Sequence, residues 1–161
     1  MLAVARHVVL LALAFVLQST WIHHLQIAGI LPDLVLVVVV FIALMSGHLE
    51  ATVLGFLAGL CQDAYSPPDL GLNALAKSLV GFGVGAARDG LLADTLQVQV
   101  GVLVAAVLVH DLIYYVGASA TSFEEVPGMM FRFSLGRALY TGVIGLIAAL
   151  AIRLRRRVIA H

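Results

Sequence analysis

Charge is what this chain has least of. Nine basic and nine acidic side chains in 161 residues amount to 11% of the sequence, where an ordinary soluble domain carries about 25%. So few charges cannot clothe a water-exposed surface. Cysteine is nearly absent too: Cys61 stands alone, which excludes an internal disulfide and a cysteine-rich metal centre. Its place inside an apolar run reads as a buried small hydrophobe. Four prolines and no Gly/Ser tract leave no linker or low-complexity segment. No Ser-His-Asp order, glycine-rich phosphate loop or HExxH occurs, and no folded basic surface is present to bind nucleic acid.

What the chain has instead is hydrophobic residue, 62% of it, with a mean hydropathy of +1.09. About 20 apolar residues cross the ~30 Å hydrocarbon core of a bilayer, so the composition is that of an integral membrane protein. Six apolar segments can be drawn, over residues 6–21, 31–46, 49–62, 70–87, 95–116 and 134–152, giving one all-α membrane domain over 1–161, a bundle of six transmembrane helices. The valine-rich second segment, LVLVVVVFIALM, would pass for a strand in a soluble protein. In lipid a lone strand leaves its backbone unsatisfied, so the segment is read as helix. The N-terminal run resembles a signal peptide but lacks a small-x-small cleavage site, and it is read as a retained first span.

Helix starts are marked by Pro32-Asp33, Pro68-Asp69 and Asp94-Thr95, where an acidic or hydroxyl cap precedes each apolar run. Basic residues set orientation. With both termini cytoplasmic, Arg6, Arg88 and the tail Arg153, Arg155, Arg156 and Arg157 lie inside, whereas only Arg132 lies in an outer loop. Trp21 then becomes an outer interfacial anchor, and the tail a lipid-contacting topology signal. The segment from Gly117 to Phe133, outside on this reading, contains room for a short interfacial helix. Its Glu124-Glu125 pair reads as a solvated loop, and His23-His24, without a third ligand, as interfacial.

Lys77, Asp111 and Arg137 fall within the apolar runs and Asp63 directly follows one; at bilayer depth such groups are costly and need partners. Heights estimated at ~1.5 Å per residue match Asp63 with Lys77 and Asp111 with Arg137, which predicts two ion pairs, the first clasping the third and fourth segments. His110 adjoins Asp111, but neighbouring positions on a helix point about 100° apart and are not expected to form one site. Small residues at close-packing spacing, Gly55 and Gly59, Gly81 and Gly85, and Ala138, Gly142 and Gly145, mark helix-packing faces or a face for a partner's span.

The order Pro32-Asp33, then GFLAGLCQD from Gly55, then LGLNALAKSLVGF from Leu70, resembles the bacterial rod shape-determining protein MreD family. The residues carrying the likeness are Pro32, Asp33, Gly55, Phe56, Gly59, Leu60, Asp63, Leu70, Gly71, Asn73, Ala74, Leu75, Lys77 and Gly81. The resemblance implies a non-enzymatic, cofactor-free subunit of the bacterial inner membrane. Its partners would be MreC, the SEDS-type glycosyltransferase and penicillin-binding transpeptidase that build peptidoglycan, and the MreB filament. It also implies a fold similar to the substrate-binding subunit of energy-coupling-factor (ECF) vitamin transporters, the rival function. That rival needs an outward polar pocket, for which the outer halves offer Gln18, Gln26, Asn73 and Asp111.

Overall fold

The computed structural model describes residues 2–26, 29–65, 67–90, 95–118 and 121–159. Its helices are α1 (Leu2–Leu25), α2 (Leu34–Ser46), α3 (His48–Asp63), α4 (Leu72–Ala87), α5 (Leu96–Gly117), α6 (Val126–Met129) and α7 (Leu135–Ile159). A π-helical turn, Met130–Ser134, joins α6 to α7, and short 3-10 turns cover Pro67–Asp69 and Arg88–Gly90. The protein is all-helical. Among the described residues, three stretches are long and apolar enough to cross a membrane: Leu2–Thr20, Leu96–Gly117 and Val126–Leu154. The other helices are shorter. α2 has 13 residues and α3 and α4 have 16 each, so they extend roughly 20–24 Å.

The valine-rich segment is a helix, α2, and it is the centre of the bundle. Val35, Leu36, Val37, Val39, Val40, Ile42 and Ala43 are all buried, as expected of a helix apolar on every side. One set of them packs with Leu11 and Ala14 of α1 and Ala51 and Leu54 of α3. The other set packs with Val80 of α4, Leu103, Ala106 and Val107 of α5, and Ala138 of α7. Around this core, large apolar side chains such as Val9, Val16, Val53, Phe82, Leu139 and Ile147 are exposed, the pattern of a surface that faces lipid. Cys61 is exposed with them. Contrary to the reading of it as a buried residue, it borders an apolar groove of about 240 Å³ between α1 and α3.

Short connections hold α2, α3 and α4 antiparallel. Gly47 turns α2 into α3 with φ of +95°, a left-handed conformation open to glycine, and Arg88 Nη1 donates to Met45 O there at 3.3 Å. At the same end His7 Nδ1 lies 2.6 Å from Glu50 Oε1, joining α1 to α3. Helices α3 and α4 make the most extensive contact among the described elements, and their glycines interlock. A Cβ on Gly55 would stand 2.8 Å from Lys77 O, one on Gly59 2.5 Å from Ala74 Cα, and one on Gly81 2.7 Å from Ala51 O, while one on Gly85 would collide with the His48 backbone. Gly142 and Gly145 face Val104 and Leu103 of α5, and Ala138 is buried. The small-residue faces are thus occupied within the bundle.

Gly59→Ala is therefore expected to destabilise the protein by about 1–3 kcal/mol, the usual cost of overpacking. Gly83→Ala, on the same helix pair but with nothing within 4 Å, is expected to be neutral or to stabilise, through helix propensity, by up to about 1 kcal/mol. Thermal unfolding of the two variants in one detergent measures the contrast.

Candidate functional site

Because neighbouring helices alternate in direction, the C-terminal ends of α1, α3 and α5 meet the N-terminal ends of α2, α4 and α7 at the end of the bundle away from the chain termini. The chain's buried charges gather there. Asp33 is the N-cap of α2, and its Oδ1 accepts from Leu36 N at 2.9 Å. Pro32 before it is buried, and Asp33 N donates to Thr141 Oγ1 of α7 at 3.3 Å. This placement leaves Asp33 Oδ2 facing α4, where Lys77 Nζ lies 2.8 Å away.

That contact corrects the expected Asp63–Lys77 pair. Asp63, fully buried, turns its carboxylate onto the start of α4. Its oxygens accept from Gly71 N, Asn73 N, Asn73 Nδ2 and Ala74 N, each at 3.0 Å. The first turn of a helix has unsatisfied N–H donors and the positive end of its dipole, and four donors saturate the carboxylate. Asn73 stands between the two charges, giving Nδ2 to Asp63 while its Oδ1 accepts from Lys77 Nζ at 3.4 Å. Height along the helix placed both residues at one level but could not say which way the acid faced. Asp63 also takes the capping role expected of Asp69. The cap position of α4 is Gly71, with φ of +100°, while Pro68 and Asp69 form a 3-10 turn and Asp69 Oδ2 accepts from Tyr114 OH at 3.5 Å. Thr95 Oγ1 does cap α5, accepting from Val98 N.

The network continues from Lys77 into α5. Lys77 Nζ is 3.0 Å from His110 Nε2, and His110 Nδ1 is 3.2 Å from Asp111 Oδ1. A lysine ammonium has only hydrogens to offer, so His110 Nε2 is the acceptor and Nδ1 carries the proton toward Asp111. Arg137 Nη1 of α7 reaches the same Asp111 oxygen at 3.0 Å. The angle between neighbouring helix positions had argued against a joint role for His110 and Asp111. The imidazole overcomes it by reaching Lys77 with one nitrogen and Asp111 with the other. The result is a continuous chain, Asp33–Lys77–His110–Asp111–Arg137, across α2, α4, α5 and α7. Apart from Arg137, whose side chain is 31% exposed, every member is buried.

Beside the chain lies a cavity of about 250 Å³. Gln18 from α1, Asp33, Gln62 from α3, Asn73, His110, Tyr114 and Arg137 contribute to its wall. Of the outer-half polar groups noted in the sequence, Gln18 and Asn73 line it, and Asp111 stands behind Arg137 and His110. Gln18 Oε1 also accepts from Val35 N at 3.3 Å. Among the described residues, Gln62 Oε1 is buried with no hydrogen-bond partner. Among the described residues no group of three metal-ligating side chains occurs. The side chains of Trp21, His23, His24, Arg155, Arg156 and Arg157, and all of Asp94, lie outside the described residues.

Sequence reasoning missed His110 as a link and Asp33 as the lysine's partner. Pro32-Asp33 signalled a cap, and the capping bond is present, but the second carboxylate oxygen had no sequence signature. A double-mutant cycle separates the two arrangements. Lys77→Met alone is expected to cost about 3–5 kcal/mol by leaving Asp33 buried and unpaired, while Asp33→Asn with Lys77→Met recovers most of that loss. Asp63→Asn with Lys77→Met is expected to be no better than the sum of its parts, since Asp63 serves the α4 backbone. Unfolding midpoints of the purified variants give the coupling energies.

Comparison with curated proteins and with solved structures returns no match. A family model does match: that of the rod shape-determining protein MreD, over residues 2–153. The match takes in every helix that builds the charged chain and the cavity, so the architecture described here is that of the matched region. This integral membrane protein belongs to the MreD family of rod shape-determining proteins.

Proposed function

We propose that the protein is a non-enzymatic subunit of the bacterial cell-elongation complex, binding MreC and helping to couple the SEDS-type glycosyltransferase and the penicillin-binding transpeptidase to control of cell shape. The observation that carries this reading is the family match over residues 2–153. The bundle supports it in two ways. Among the described residues its buried charges are spent on one another and on helix ends, an arrangement that suits a structural role. Its outer surface is apolar on nearly every helix, which suits side-by-side association with other spans.

In this reading the chain crosses the inner membrane six times. The charged end of the bundle faces outward and both termini face the cytoplasm, with Arg153, Arg155, Arg156 and Arg157 at anionic lipid and within reach of the MreB filament. The helices α2, α3 and α4 are short for a ~30 Å core. Their polar ends, capped by Asp33 and Asp63, meet the headgroup region of a locally thinned bilayer, an accommodation that costs fractions of a kcal/mol per Å.

Affinity purification from native membranes is expected to bring down a one-span protein with a large outer domain. Recovery of a pair of ATP-binding subunits in its place would overturn the assignment. In a Cys61→Ala background, single cysteines placed near residue 3 and beyond residue 157 should both react only with reagent admitted to the cytoplasmic side. Opposite-sided labelling would remove the even number of crossings.

A further inference from the structure

Going beyond the elongation-complex reading, we propose that the polar cavity at the charged end of the bundle is a binding site for a neutral, hydroxylated small molecule of about monosaccharide size. The ligand class follows from which polar groups in the wall are already satisfied. Asp33 is balanced by Lys77 at 2.8 Å, and Arg137 by Asp111 at 3.0 Å. Each acid has its base, so the wall has no net charge to offer an ion. A carboxylate or phosphate entering beside Arg137 would also meet Asp33, and an ammonium entering beside Asp33 would meet Arg137. Both nitrogens of His110 are engaged, with Lys77 and Asp111, and Asn73 spends its amide on Asp63 and its oxygen on Lys77.

Several capacities remain, the side-chain amide nitrogens of Gln18 and Gln62 among them, and two decide the ligand class. Gln62 Oε1 is buried without a donor. Arg137 is bonded to Asp111 through Nη1, and a guanidinium has five N–H donors; its side chain is the one member of the charged chain with substantial exposure. The wall therefore calls for a molecule that donates on one side and accepts on the other without a formal charge. Hydroxyl groups do both. A volume of about 250 Å³ equals roughly eight waters at ~30 Å³ each and lies just below the ~300–1,000 Å³ of drug-sized sites, which limits the ligand to a compact one. With the Gln62 amide turned toward the cavity, a ligand hydroxyl would satisfy this acceptor in place of water.

The test uses the full chain in phospholipid nanodiscs, free of sugar-based detergent, and three probes of one size: D-glucose, anionic D-gluconate and cationic D-glucosamine. Saturation-transfer NMR is expected to report glucose binding, with each charged probe at least about tenfold weaker, a difference of about 1.4 kcal/mol. Gln62→Leu breaks no hydrogen bond at Oε1 and should weaken glucose about fivefold, the worth of one net hydrogen bond, while the unfolding midpoint stays at or above that of the parent. Absence of transfer from glucose would show the cavity to hold water alone and overturn the proposal. A charged probe binding as well as glucose would overturn the assigned class, and unchanged binding by Gln62→Leu would overturn the site. The purified chain suffices for all three measurements, so their outcome is independent of whether MreC co-purifies.

Discussion

A charge buried among apolar helices must find its partners inside the protein, and the rest of this fold follows from how that is done. Two acids and two bases are strung on one histidine, so that α2, α4, α5 and α7 share a single set of contacts. Truncating one member strands another at a position that is mostly buried. Such a network adds little net stability over an apolar core of the same volume. What it supplies is specificity, because helices that slide or rotate lose their partners. Lipid-facing helices have no hydrophobic drive to prefer one neighbour over another, and here the charges supply that preference at one end of the bundle.

At the other end and through the middle, shape does the work. The α3–α4 hairpin is fixed by glycines set against backbone atoms, and Asp63 closes its open end by satisfying the first turn of α4. The same hairpin sets the height of Lys77, because Gly55 rests against the Lys77 carbonyl. Close packing thus places the lysine, and Asp33 receives it. The glycine stripes and the charged chain are two parts of one device, and the cavity is the space left where six helices bring polar ends together without filling the volume between them.

Much of this was legible in the residues. The solvent, the helical state of the valine-rich segment, the cap at Asp33 and the close-packing role of Gly55, Gly59, Gly81 and Gly85 all follow from local chemistry: apolar run length, backbone satisfaction in lipid, the short side chain of aspartate, the missing Cβ of glycine. The family likeness rested on the same residues, and the family model extends it over residues 2–153. Each of these inferences needs one segment at a time, or two segments joined by a short turn.

What the tertiary structure decided was direction. Rise along a helix gives a residue's height but not its azimuth, and partner choice depends on both. Asp63 and Lys77 share a height and an intervening Asn73, yet the acid faces a helix end and the base faces Asp33, 44 positions earlier in the chain. His110 and Asp111 diverge along their helix and are reunited by an imidazole whose two nitrogens face different neighbours. Cys61, apolar by context, faces outward because the glycine face of α3 is the one turned inward. The sequence by itself determined that these charges needed partners within the protein, since lipid offers none. Only the packing of α2 at the centre, which sets the rotation of every helix around it, decided with whom.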